Sequence, residues 1–170
     1  MDRSDVIQVI DCFLKGLSQA FSFLCYSILY MKLFIKKLNS DAKIPTRAHK
    51  EDAGVDMYAY GIHTVAPHTT VAIPTGVACE IAEGYVGLIW DKSSIGSKGI
   101  KTLGGVIDAG YRGEVKILVH NLSEVPYIFE HGHKVAQILI QKVELCEVEE
   151  VETLSDSVRG EKGFGSTGKN

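Results

Sequence analysis

From Met31 onward the chain alternates on a period of two. Met31, Leu33 and Ile35 fall on one face, and Lys32, Phe34 and Lys36 on the other. Further short apolar stretches lie at 70–73, 76–81, 85–90, 115–120, 127–129, 135–143 and 145–151. Pro45, Pro67, Pro74, Gly84, Pro126 and Gly132 punctuate them, and these residues favour turns over regular structure. Strands of this length, broken by turns about every ten residues, predict an all-β sandwich or barrel. No long amphipathic helix and no internal repeat is present after residue 31. The run of glutamates from Glu144 to Glu152 alternates with Val and Leu, so it reads as a half-exposed strand.

The two ends of the chain break the pattern. Residues 16–31 (GLSQAFSFLCYSILYM) carry no charge and are bounded by Lys15 and Lys32. This stretch is shorter than the roughly 20 residues needed to span a bilayer. It reads as a signal-like segment without a small-residue cleavage site, as an apolar helix packed on the domain, or as sequence upstream of a true start at Met31. The last reading is preferred, because a complete domain pattern begins there. At the other end, residues 159–170 (RGEKGFGSTGKN) hold four glycines in twelve residues. Such a stretch forms neither helix nor strand by itself and is expected to be a flexible tail. The chain therefore divides into an extension (1–30), a β-domain (31–158) and a tail (159–170).

Composition narrows the class of partner. With 18 basic and 21 acidic residues the net charge is −3, so there is no basic footprint for a nucleic-acid backbone. A phosphorylated substrate would have to be gripped locally. Cys12, Cys25, Cys79 and Cys146 are widely spaced and form no CxxC pair, which argues against a zinc site and against a secreted disulfide framework. Reduced thiols point to a cytoplasmic compartment.

Several stretches carry chemistry. Residues 104–115 (GGVIDAGYRGEV) place Asp108 behind an apolar pair and ahead of a turn, with Tyr111 three residues on. This is either a hairpin with a polar turn or a partly buried acid aimed at a ligand. Residues 53–60 (AGVDMYAY) present Asp56 just after a small-residue turn. Residues 90–100 (WDKSSIGSKGI) offer Lys92, Ser93 and Ser94 at a strand end, where a cation, hydroxyls and turn amides suit phosphate oxygens. In residues 130–141 (EHGHKVAQILIQ), His131 and His133 flank a glycine without a third ligand nearby, and Gln137 needs a partner for its amide within an apolar strand. The tail supplies Arg159, whose planar fork suits phosphate, and Phe164, able to stack on a base. Gly165, Ser166 and Thr167 add amides and hydroxyls, and a tail of this kind can close over a nucleotide as a lid.

Taken in order, these five stretches resemble the five motifs of the homotrimeric dUTPase family, over residues 31–170. The resemblance implies a jelly-roll-like β-barrel and a homotrimer with active sites between subunits. It implies hydrolysis of dUTP to dUMP and diphosphate with Mg²⁺, which limits uracil in DNA and supplies dUMP for dTMP synthesis. By position, Asp108 is the implied base for the attacking water. Tyr111 packs on the deoxyribose and excludes a 2′-hydroxyl. Gly105, Val106, Ile107 and Lys116 belong to a narrow hairpin that reads uracil. Lys92, Ser93, Ser94 and Gln137 hold phosphates, while Arg159, Phe164, Gly165, Ser166 and Thr167 close from the tail. Mg²⁺ rides mainly on the triphosphate, with Asp56 as an outer-shell partner. No nucleic acid and no stable membrane association are expected.

The sequence departs from the family pattern at three places. Lys92 stands where many members have Arg, so a bidentate contact becomes a point charge. Gly104–Gly105 lies where many carry an Asn against the base, and His133 replaces an acid. Two alternatives accompany this reading. One is a dCTP deaminase or a bifunctional enzyme on the same fold, and the other is a nucleotide-binding regulatory module. The Asp108–Tyr111 pair and the glycine-rich tail favour the hydrolase over both.

Overall fold

The period-two pattern is clearest over 114–121, where Val115, Ile117 and Val119 are fully buried while Lys116 and Leu118 face outward. The computed structural model describes residues 32–161. Ten strands and one helical turn follow in chain order: β1 (Phe34–Lys37), β2 (Val55–Tyr58), β3 (His63–Val65), β4 (Thr70–Glu80), β5 (Tyr85–Asp91), α1 (Ser93–Gly96), β6 (Ile100–Thr102), β7 (Val106–Ile107), β8 (Glu114–Asn121), β9 (Tyr127–Phe129) and β10 (Lys134–Lys142). They form two four-stranded sheets, ordered β1-β4-β8-β6 and β2-β10-β5-β7, and a two-stranded sheet of β3 and β9. Every pairing is antiparallel. This is the expected all-β, jelly-roll-like architecture.

The core is one apolar cluster. Ile73, Val77, Val115 and Ile117 come from the first sheet, Met57, Ile89, Ala136 and Ile138 from the second, and Val65 and Phe129 from the small one. Fully burying an aliphatic or aromatic side chain of this kind contributes about 1.5–3 kcal/mol. The fully buried polar side chain of Asn121 is satisfied by Val65, Ser123 and Val125 around it. Its amide donates to the carbonyls of Val65 (3.0 Å) and Val125 (2.7 Å), and its oxygen accepts the Ser123 N–H (2.9 Å).

Three expectations are corrected. Stretches 70–73 and 76–81 are a single strand, β4, which passes Pro74 by a register shift between Pro74 and Ala78. Proline has no N–H to give, so the ladder is mended by side chains. The Thr75 hydroxyl donates to the Val115 carbonyl (2.6 Å), and the Gly76 N–H donates to the Glu114 carboxylate (2.9 Å). Secondly, 145–151 is not a strand. Its alternation is real, but no strand among the described residues pairs with it, and Leu145, Val148 and Val151 are left exposed. Thirdly, β7 and β8 are not a hydrogen-bonded hairpin: β7 pairs with β5, and β8 with β4 and β6. The loop between them crosses from one sheet to the other. No helix among the described residues is long and apolar enough to cross a membrane.

Candidate active site

The loop joining β7 to β8 is held by its own backbone and by one aromatic ring. The Tyr111 N–H donates to the Asp108 carbonyl (3.0 Å), which closes the turn. The Tyr111 hydroxyl then reaches forward to the Glu114 carbonyl (3.0 Å). The ring lies so close over Gly113 that a Cβ there would sit 2.4 Å from the phenol oxygen. Arg112 stiffens the turn from outside, donating to the carbonyls of Ala109 (2.5 Å) and Tyr111 (3.0 Å). Val106, Ile107, Asp108, Tyr111 and Lys116 line one cavity of about 490 Å³, floored by Ala72 and Leu118. That volume is within the range of small-ligand sites. Asp108 is exposed here rather than partly buried, because the loop follows β7 at a sheet edge.

Gly105 enters the same loop with φ 127°. Its carbonyl accepts the Ile89 N–H (2.8 Å), and a Cβ would sit 2.5 Å from the Ile89 Cβ. A side chain is thus excluded both by conformation and by space. The position is set by backbone approach to β5.

A second, separate cavity of about 280 Å³ is lined by Gly54, Asp56, Lys92, Gln137 and neighbours. Asp56 is buried on β2, opposite Gln137 on β10. Its two oxygens meet Lys92 Nζ at 3.2 Å and Lys134 Nζ at 2.6 Å. Burial pushes the Asp56 carboxyl up, but the hydrogen bonds from Lys134 and Lys92 outweigh it and hold the group below the usual carboxylate range. The same contact with Asp56 raises Lys134 above the ordinary lysine value. The Gln137 amide donates to the Asp91 carbonyl (2.9 Å), which is the partner its apolar strand required. A Cβ on Gly54 would sit 1.9 Å from the Gln137 side-chain oxygen, so the small residue before Asp56 makes room for that amide. Ser93 and Ser94 form the exposed single turn α1 that follows Lys92.

The predicted site residues therefore fall into two groups within one chain. Val106, Ile107, Asp108, Tyr111 and Lys116 share one cavity; Lys92, Gln137 and Asp56 share the other. Arg159 lies outside both, in an exposed turn closed by the Gly160 N–H on the Ser157 carbonyl (3.1 Å). Phe164, Gly165, Ser166 and Thr167 lie outside the described residues, as does the 1–30 extension. Asp56 serves the two lysines with both oxygens, as a counter-ion does. The His131 ring accepts the Gly61 N–H (3.1 Å), and the His133 ring accepts the Glu130 N–H (3.2 Å). No cluster of three His, Cys, Asp or Glu side chains suited to a metal exists among the described residues. Sequence reasoning passed over Lys134. Its signal was its place beside His133 in a stretch already singled out, but only the β2–β10 register brings it to Asp56.

The chain has close counterparts among known proteins. A family model described as dUTPase matches residues 40–168. The deoxyuridine 5′-triphosphate nucleotidohydrolase of Corynebacterium glutamicum is 43% identical over 139 residues, which is 79% of this chain and 93% of that one. The enzyme of the same name from Clostridium tetani is 41% identical over 140 residues, 81% of this chain and 97% of its own. Among solved structures, the Staphylococcus bacteriophage 80alpha dUTPase with dUpNHpp superposes with a TM-score of 0.77 at 34% identity, covering 82% of this chain and 99% of that chain. A mutant dUTPase from phage phi11 of S. aureus, described as revealing the coordination of a structural Mg(II) ion, superposes with a TM-score of 0.68 at 29% identity, covering 74% and 99%. Family match, relatives and fold agree with the five ordered motifs, and this chain belongs to the dUTPase family.

Proposed function

We infer that the chain hydrolyses dUTP to dUMP and diphosphate, by attack of water on the α-phosphorus. The observation that carries this is the intact Asp108–Tyr111 turn, closed on itself and lining a cavity of nucleoside size, in a chain matched to the dUTPase family over 40–168. The relatives reported above are dUTP nucleotidohydrolases or dUTPases by name, which leaves the deaminase alternative without support.

In this reading Asp108 accepts a proton from the attacking water, as a general base within hydrogen-bond reach. Tyr111, pinned over Gly113, packs on the deoxyribose and leaves no room for a 2′-hydroxyl. Gly105, Val106, Ile107 and Lys116 frame the base. Lys92, Ser93, Ser94 and Gln137 take the phosphates, with Lys92 aimed by Asp56. Arg159, Phe164, Gly165, Ser166 and Thr167 close the site from a lid at 159–170, appended to a catalytic domain at 31–158. Mg²⁺ would ride mainly on the triphosphate and supply charge neutralisation there, with Asp56, paired to Lys92 and Lys134, as an outer-shell partner. Rate enhancement then comes mostly from positioning and charge neutralisation.

The two half-sites occupy separate cavities, which supports a complete site built by more than one chain. The extended stretch after β10, with Leu145, Val148, Val151 and Leu154 exposed, supplies apolar surface for a neighbour. Both features support a homotrimer with sites between subunits. Cys79 and Cys146 are free thiols, consistent with a cytoplasmic enzyme.

Diphosphate release by the full-length protein with Mg²⁺, compared across dUTP, dCTP, dTTP and UTP, tests the assignment. Release from dUTP alone is expected. Release from dCTP, or from none of the four, would overturn it.

A further inference from the structure

Asp91 ends β5, and the turn carrying Lys92, Ser93 and Ser94 begins at the next residue. Asp91 lines neither cavity, yet its acceptors are all in use. Its carbonyl takes the Gln137 amide (2.9 Å). One carboxylate oxygen takes both the N–H (2.8 Å) and the hydroxyl (2.6 Å) of Thr102, and the other is paired with the Lys101 ammonium. Thr102 ends β6, which belongs to the opposite sheet, so no ladder joins the two strands. Three residues further on, Gly105 is bonded to Ile89. Residues 102–105 are thus stitched to β5 at two points, Asp91 and Ile89, directly upstream of Val106–Asp108.

We propose that Asp91 is a positioning residue: through Thr102 it sets the start of the loop that presents Gly105, Asp108 and Tyr111, and through its own backbone it sets the Lys92 turn. The chemistry of the residue follows from the count of donors. Three converge on one side chain, and a carboxylate has lone pairs for all of them, whereas an amide has a single acceptor oxygen. Hydrogen bonds to a charged acceptor are shorter and stronger than neutral ones, which suits a cross-link between two sheets. Removing the side chain leaves the Thr102 N–H and hydroxyl without this acceptor, and lets the loop drift by a fraction of an ångström. Sites of this kind are sensitive to displacements of that size. The proposal rests on the assignment of 105–111 to the nucleoside and Lys92 to phosphate.

The test is calorimetric binding of dUMP and of dUpNHpp to the full-length protein and to Asp91→Ala, Asp91→Asn, Thr102→Val and Lys92→Ala. Asp91→Ala should weaken dUMP about tenfold, the value of one hydrogen bond to a charged group. Asp91→Asn, which keeps one acceptor for Thr102, should stay within about threefold of wild type. Thr102→Val, which loses only the hydroxyl, should fall between them and carries the test where Asp91→Ala does not fold. Lys92→Ala should spare dUMP relative to dUpNHpp. Asp91→Ala or Thr102→Val binding dUMP with wild-type affinity, even with a lowered Tm, would overturn the proposal. Equal losses of dUMP binding in Asp91→Ala and Asp91→Asn would do the same. Failure of the functional reading itself is seen elsewhere: wild-type protein would bind neither nucleotide, and both ideas would fall together.

Discussion

Asp108 and Asp56 are both acids placed beside small-residue turns, and the fold gives them opposite surroundings. Asp108 stands exposed at the rim of a cavity, with no cation of the described chain paired to it at ion-pair distance. Asp56 is buried between two ammoniums. Asp108→Asn keeps the shape of the turn, whose closure uses the Asp108 carbonyl, and removes the base. It should lower kcat by about 10²–10⁴-fold while leaving dUpNHpp affinity near wild type. Steady-state kinetics and calorimetry check this, and equal losses in both would remove the base role. For Asp56 the prediction concerns stability. Its folded pKa lies below the ordinary value, so the ion pairs stabilise the fold above about pH 4, and this is lost as pH falls through the folded value. Lys134 is shifted upward, so its share persists below about pH 10.4 and fades only as pH rises beyond that. Asp56→Asn should cost about 2 kcal/mol at pH 7, somewhat under the figure for a wholly buried pair because both lysines keep some access to water. Thermal unfolding should show the gap to wild type narrowing below pH 4. A gap unchanged from pH 7 to pH 3 would mean that the pairs contribute nothing.

At the scale of elements, what the sequence could disclose depended on how local the cause was. The strands at 85–91, 114–121 and 127–129 were visible because alternation and flanking turns are properties of consecutive residues. The Asp108–Tyr111 turn was visible for the same reason. The joining of 70–73 to 76–81 was hidden, because it depends on Thr75 and Glu114 mending the ladder around Pro74 across strands. Lys134 was hidden likewise, since its partner is set by register between distant strands, and Asp91 was hidden because Thr102 reaches it from the opposite sheet with no ladder between them. Stretch 145–151 failed in the other direction: its pattern fits a strand, but no partner among the described residues pairs with it. Gly113 shows what a purely local device can do. Its lack of a side chain lets the Tyr111 ring lie across the loop. Gly113→Ala should push the ring off the deoxyribose position and open space for a 2′-hydroxyl. The preference for dUTP over UTP, read as the ratio of kcat/KM values, should fall about tenfold, the size expected when one packing contact in a pocket is lost. Unchanged discrimination would move the 2′-hydroxyl filter away from Tyr111.

The whole molecule poses the question of where a complete site is assembled. One chain carries two separate cavities, one lined by Asp108 and Tyr111 and the other by Asp56 and Lys92. It also carries a stretch after β10 in which Leu145, Val148, Val151 and Leu154 are exposed between acidic residues. In a closed ring of identical subunits, every interface brings the same two surfaces together, so the two cavities can be joined between neighbours. This predicts complementation. Asp108→Asn alone and Lys92→Ala alone should each be nearly inactive. In trimers reassembled from an equal mixture, an interface that takes its Asp108 from one variant and its Lys92 from the other is intact. Random assembly makes about a quarter of the sites of this kind. The mixture should therefore recover about a quarter of wild-type turnover, and size-exclusion chromatography should show one trimeric species. Recovery is impossible if each chain builds its site from its own residues, because every site would then carry one of the two lesions. A mixture as inactive as its components, at full trimer yield, would place both cavities in the service of a single chain and require the fold to bring them together in some other way.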